Sequence, residues 1–84
     1  MKIINKSSVE IIVNANNLVN TLTIEPEQKV KYSNVNFRLI NIHSEYGSCE
    51  IRFKNSRAYI KNYGKIVVKV EKIDNEQCVT VTAI

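Results

Sequence analysis

The chain has 84 residues, 44% of them apolar and 24% charged, with a formal net charge of +4. That length fits one domain, residues 1–84, with a thin core, because a chain this short buries roughly 60–65% of the surface it exposes when unfolded. The balance excludes a disordered polyelectrolyte, and no apolar run is long enough to cross a bilayer as a helix, so the expectation is a folded, soluble domain.

The 12 Ile and 10 Val outnumber the 3 Leu and 3 Ala, and β-branched side chains suit a pleated surface while crowding a helical turn. The apolar residues alternate with polar ones from end to end, the period-2 signature of strands. Val9, Ile11 and Val13 share a face before a turn at Asn14–Asn17. Leu18, Leu22 and Ile24 share the next face before Glu25-Pro26-Glu27-Gln28, completing a first hairpin. Val30 and Tyr32 follow, then Val35, Phe37 and Leu39 on one face, with Ile40 and Ile42 marking either a bulge or a strand covered on both sides.

Ser44-Glu45-Tyr46-Gly47 reads as a turn, and Cys49, Ile51 and Phe53 then alternate with Glu50, Arg52 and Lys54 up to Asn55-Ser56. A short strand over Arg57–Lys61 points Ala58 and Ile60 inward, and Asn62-Tyr63-Gly64 reads as the next turn. Ile66, Val68 and Val70 are the inward set of the following strand. Asp74–Gln77 turns the chain into a last strand with Val79, Val81 and Ala83 inward. About eight short strands at this spacing predict an all-β, antiparallel sandwich or barrel-like domain. With two Gly and 11 Asn in the chain, Asn is expected to supply positive φ in the turns.

Both ends of the chain read as strands. Left unpaired they would recruit another chain, which predicts a homo-oligomer formed through edge strands; paired with each other they would close one sandwich. The N-terminal segment Met1–Ser8 lacks the apolar stretch of a secretory signal, so a cytoplasmic protein is expected. The abundance of Asn, Ile and Lys, residues of AT-rich codons, points to a low-GC bacterium or its phage.

Chemistry-bearing residues are sparse. His43 stands six residues before Cys49, and a thiolate–imidazolium pair would need the two side chains in contact. Cys49 and Cys78 form neither a zinc spacing nor a disulfide framework; they are two thiols or one disulfide between neighbouring strands. Glu25 and Glu27 flank Pro26 in a turn, and no Gly-rich phosphate loop is present. A non-enzymatic domain without metal or cofactor is the expectation.

Charge is the uneven feature. Residues 50–72 hold seven basic residues against two acidic ones, net +5, whereas the rest of the chain is net −1. If the three strands form a meander, the period of two places Arg52, Lys54, Arg57, Tyr59, Lys61, Lys65 and Lys69 on one face, with Tyr63 in an adjoining turn. Cations beside aromatic rings suit RNA or single-stranded DNA, whose phosphates take the charge and whose bases stack. The bland reading is the solvated face of a Lys-rich sheet. Another class of function is a protein-interaction module, such as a small inhibitor or immunity-type protein of a mobile element docking on an acidic partner, and a third is a self-assembling structural subunit.

Ser48-Cys49-Glu50-Ile51-Arg52-Phe53-Lys54, continued by Arg57-Ala58-Tyr59-Ile60-Lys61-Asn62-Tyr63-Gly64-Lys65-Ile66, resembles the trp RNA-binding attenuation protein family. The likeness implies a small β-sandwich protomer, a ring of subunits and RNA at its rim, with Arg52 and Lys54 in the position of the basic pair that meets the RNA. The family's Gly-Leu-Thr-Arg-Gly and His-Thr-Ser segments have only Asn20-Thr21-Leu22-Thr23 and His43-Ser44 in their place. Tryptophan binding is therefore not part of the expectation.

Overall fold

A computed structural model of the chain describes residues 1–16, 21–32 and 37–83. Nine strands are present among them: β1 (Lys2–Asn5), β2 (Ile11–Ala15), β3 (Leu22–Ile24), β4 (Lys29–Lys31), β5 (Leu39–Ser44), β6 (Gly47–Lys54), β7 (Arg57–Gly64), β8 (Ile66–Ile73) and β9 (Glu76–Ala83). They form two sheets, ordered β4-β1-β9-β8 and β3-β2-β5-β6-β7. The all-β sandwich expected from the alternation is the fold found. Among the described residues no helix is long and apolar enough to cross a membrane.

The apolar faces meet in a core built on Ile3, Ile11, Val13, Ile24, Ile40, Ile42, Cys49, Ile51, Ile66, Val68, Val79 and Val81. Ile40 and Ile42 are the inward residues of β5, whereas Leu39 turns to the outer face opposite Arg52. The strand is thus covered on one side, with neither of the two arrangements expected from its apolar run. Val35 and Leu18, assigned to faces from sequence, lie outside the described residues.

The terminal strands are not edges. β1 runs parallel to β9, pairing Lys2 with Cys78 through Asn5 with Val81, and lies between β9 and β4. The ends of the chain are therefore not the unpaired strands expected to recruit another chain: their backbone groups are spent on each other. Among the described residues the free edges are β3 and β7 in one sheet and β4 and β8 in the other.

Turns follow the residues that tolerate positive φ. Asn55-Ser56 and Asp74-Asn75 are two-residue hairpin loops with φ between 51° and 63° at all four positions, the mirror-image turn whose twist matches that of the strands it joins. Asn16 does the same after β2 at φ 55°, and its Oδ1 accepts the N–H groups of Arg38 at 2.8 Å and Leu39 at 3.2 Å.

Asn62-Tyr63-Gly64, by contrast, is no turn but the end of β7. The only two glycines of the chain face each other there: Gly47 pairs with Gly64. A Cβ on Gly47 would come within 2.1 Å of the Tyr63 carbonyl oxygen, and one on Gly64 within 2.7 Å of that of Tyr46. Gly64, at φ 84°, then turns the chain, the Lys65 N–H donates to the Tyr46 carbonyl at 2.7 Å, and the next residues enter the other sheet as β8.

The two sheets are joined by a buried polar cluster around Asn5, on β1. Its Nδ2 donates to the carbonyls of Val9 at 2.8 Å and Ile24 at 2.9 Å, and its Oδ1 accepts from the Ser7 N–H at 2.9 Å and the Ser7 hydroxyl at 2.6 Å. The side-chain amide thus uses both donors and both acceptor sites. Asn5→Ala would remove a donor from the buried Ile24 carbonyl, take one of two side-chain donors from the half-buried Val9 carbonyl and leave a cavity, and should lower stability by about 3 kcal/mol. Ser7→Ala should cost about 1 kcal/mol, and Gly64→Ala about 2 kcal/mol or more because it combines strain with a backbone clash. Urea-unfolding midpoints of the three variants check this order.

Candidate nucleic-acid interface

β6 and β7 pair over their whole length, Gly47 with Gly64 through Lys54 with Arg57. Directly opposite residues of an antiparallel pair share a face. The inner face therefore carries Cys49, Ile51 and Phe53 opposite Asn62, Ile60 and Ala58. The outer face carries Lys54 beside Arg57, Arg52 beside Tyr59, Glu50 beside Lys61, and Ser48 beside Tyr63. The register thus brings together the expected residues Arg52, Lys54, Arg57, Tyr59 and Lys61, and adds Tyr63, which stands on the strand face rather than in a turn.

Lys65 and Lys69 are not brought to this face. The expected meander of three strands stops at β7, because β8 belongs to the other sheet. Lys65 is the link between the sheets, and Lys69 lies on the far side of the sandwich, 3.6 Å from Glu71. Periodicity says which residues share a strand face. It does not say which sheet the next strand joins.

Four cations and one carboxylate occupy the outer face of β6 and β7. Arg52 Nη2 donates to Glu50 Oε1 at 3.0 Å, an exposed contact of the kind that holds side chains loosely in water. Among the described residues Lys54, Arg57 and Lys61 make no ion pair. Tyr59 is 53% exposed and Tyr63 54%, about 13 Å apart along the strand at the usual rise. Beside Tyr59 an open depression of about 430 Å³, bounded by Glu50, Arg52, Tyr59 and Lys61, reaches round the strand edge to Ala58 and Ile60.

At the β6–β7 turn the cationic surface continues into a second groove, at the open mouth of the sandwich, where Lys54 and Arg57 are joined by Lys72, Gln77, Phe37 and Phe53. Lys72 is one of the seven basic residues of the segment 50–72 and is not among those expected on the common face. It follows Ile66, Val68 and Val70 in the inward set of β8, so alternation alone could have placed it at the end of the core face. That it meets Lys54 and Arg57 depends on how the sheets stack.

The arrangement also settles the thiol chemistry. Ile42 pairs with Cys49 and His43 with Ser48, so the Cys49 thiol faces the core and the His43 ring faces solvent on the opposite side of the sheet. The two cannot form a nucleophile pair. Cys49 and Cys78 are free and buried and lie in different sheets. Burial, aided by the neighbouring Glu50 carboxylate, pushes the Cys49 thiol up to about 11 from its ordinary value of 9.0. No three His, Cys, Asp or Glu among the described residues cluster so as to hold a metal.

No protein-family model matches the chain, and no curated protein or solved structure matches it.

Because the folded protein holds the Cys49 proton more tightly than the unfolded chain does, the thiol's contribution to stability is complete below pH 9 and is lost as pH rises from 9 towards 11. Urea midpoints measured across that range should fall more steeply for the native chain than for Cys49→Ala. At pH 8 the native protein should react with a thiol reagent far more slowly than the unfolded chain.

Proposed function

We propose that this chain is a non-enzymatic binding domain that takes RNA or single-stranded DNA on the outer face of β6 and β7. The observation that carries the reading is the pairing register, which sets Arg52, Lys54, Arg57 and Lys61 around two half-exposed tyrosines with Glu50 as the one carboxylate. Phosphates are drawn by the cations, and Tyr59 and Tyr63 offer flat apolar surface on which bases stack whatever their sequence. A single strand suits the site better than a duplex, since only unpaired bases expose their faces to a sheet. The likeness of Ser48–Ile66 to an RNA-binding family supports the same choice.

The face has room for stronger electrostatics than it shows. The Glu50 carboxylate neutralises part of the field next to Arg52, so it works against an anionic ligand. An acidic protein partner would meet the same cations, but it would leave the paired tyrosines without a role.

Anisotropy titrations with mixed-sequence single-stranded oligonucleotides test the reading. Binding at low salt should weaken with a slope of log affinity on log salt of about −2 to −3, from three or four phosphates at roughly −0.7 each. Arg57→Ala with Lys61→Ala should weaken binding about tenfold or more, Tyr59→Ala about fivefold or more through lost stacking, and Glu50→Gln should strengthen it. Lys69→Gln, on the other sheet, should leave it unchanged. Absence of binding at low salt, or indifference to Arg52→Ala with Lys54→Ala, would sink the proposal. An acidic protein retained by the immobilised chain after nuclease treatment would favour the protein-partner reading instead.

A further inference from the structure

Among the described residues the longest free strand edges are β8 and β7, eight residues each, against the three of β3 and the three of β4; β8 keeps Ile66 and Val68 buried, and β7, Arg57–Gly64, is the more open of the two. It contains no proline, and every one of its residues except Ala58 is exposed. Ile60, an inward residue, is still 38% exposed because, among the described residues, no strand lies beyond it. Such an edge is a template for another strand unless something blunts it.

The backbone shows which groups are on offer. The Lys65 N–H donates to the Tyr46 carbonyl, so in an antiparallel ladder the odd-numbered residues of β7 spend their N–H and C=O groups on β6, and Ala58, Ile60 and Asn62 turn theirs outward. We infer that this edge pairs with the same edge of a second copy, antiparallel about a twofold axis at Ile60, joining two five-stranded sheets into one.

The register follows from the side chains. A twofold axis perpendicular to the sheet sets inward residues against inward and outer against outer. With Ile60 on the axis, Ile60 meets Ile60 and Ala58 meets Asn62 of the second copy on the inner face. On the outer face Arg57 meets Tyr63, and Tyr59 meets Lys61. Every cation then stands beside a tyrosine ring, an attraction in its own right, and no like charges are opposed. A shift of the axis to Tyr59 opposes Arg57 with Lys61, and a shift to Lys61 opposes Lys61 with itself, both destabilising. The depression that curls round Tyr59, Ile60 and Lys61 is the space the incoming strand fills. The pair also fuses two cationic faces into one, but the inference does not rest on their binding nucleic acid.

Sedimentation velocity on the native chain from micromolar to submillimolar concentration should show a reversible dimer. Ile60→Lys, which opposes two charges on the axis, should weaken it about tenfold or more, while circular dichroism confirms that the variant stays folded. As a second measurement, Ile60→Cys should be joined into a dimer by a short bismaleimide, since the paired Cα atoms lie about 5.5 Å apart, and Asn62→Cys should not. A native chain that stays monomeric overturns the inference, as does a dimer indifferent to Ile60→Lys or one joined through Asn62→Cys instead. A monomer that binds oligonucleotides at low salt would remove the dimer and leave the binding proposal standing; a dimer that binds none would do the reverse.

Discussion

The buried amide of Asn5 is the contact on which the sandwich depends. A sheet can bury its apolar face against almost any other apolar surface, so hydrophobic contact alone would let these two sheets slide. Asn5 prevents this by projecting from β1 and bonding the carbonyl of Ile24 on β3, in the other sheet, while also holding Ser7 and Val9 in the link to β2. In a nonpolar interior each of those groups would be costly without its partner, so the bonds fix one alignment rather than merely adding stability. Its backbone is equally occupied: the N–H donates to the Gln28 carbonyl, and the carbonyl accepts from Glu27.

The glycine pair does for the later half of the chain what Asn5 does for the beginning. Gly47 and Gly64 allow two backbones to approach where any side chain would collide, and Gly64 then bends the chain out of one sheet into the other. That bend divides the basic segment. Arg52 to Lys61 stay on the outer face of β6 and β7, Lys69 goes to the far side of the molecule, and Lys72 returns at the mouth between the sheets. A charge run that is continuous in sequence thus becomes two separate surfaces. It also leaves β7 outermost, with its tyrosines, its cations and its backbone groups all open on one side.

Alternation made much of this legible. The all-β class, the inward sets Cys49-Ile51-Phe53 and Ile66-Val68-Val70, the tight turn at Asn55-Ser56 and the shared face of Arg52, Lys54, Arg57, Tyr59 and Lys61 all follow from a side-chain period of two and from the φ preferences of Asn and Ser. Gly64 misled because a Tyr-Gly pair after a run of alternation reads as a hairpin turn, when here the glycine serves a crossing between sheets. Leu39 misled because it stands beside Phe37 in the same phase, yet Ile40 and Ile42 are the pair that fills the core. Asn5 carried no periodic signal at all, since a buried amide is recognised by its partners, and Ile24 is distant in sequence.

The sequence by itself determined the strands, their inner and outer faces and the excess of positive charge, because these depend on neighbours within a few residues along one chain direction. Only the tertiary structure decided that the two terminal strands pair with each other, that β8 leaves its basic neighbours, and that β7 is an open edge. Those outcomes rest on contacts between residues far apart in the chain, a parallel ladder between Lys2–Asn5 and Cys78–Val81 above all. A local pattern cannot choose among strands that are equally ready to pair. The choice belongs to the packing of the two sheets, which satisfies every buried polar group of the Asn5 cluster in one arrangement.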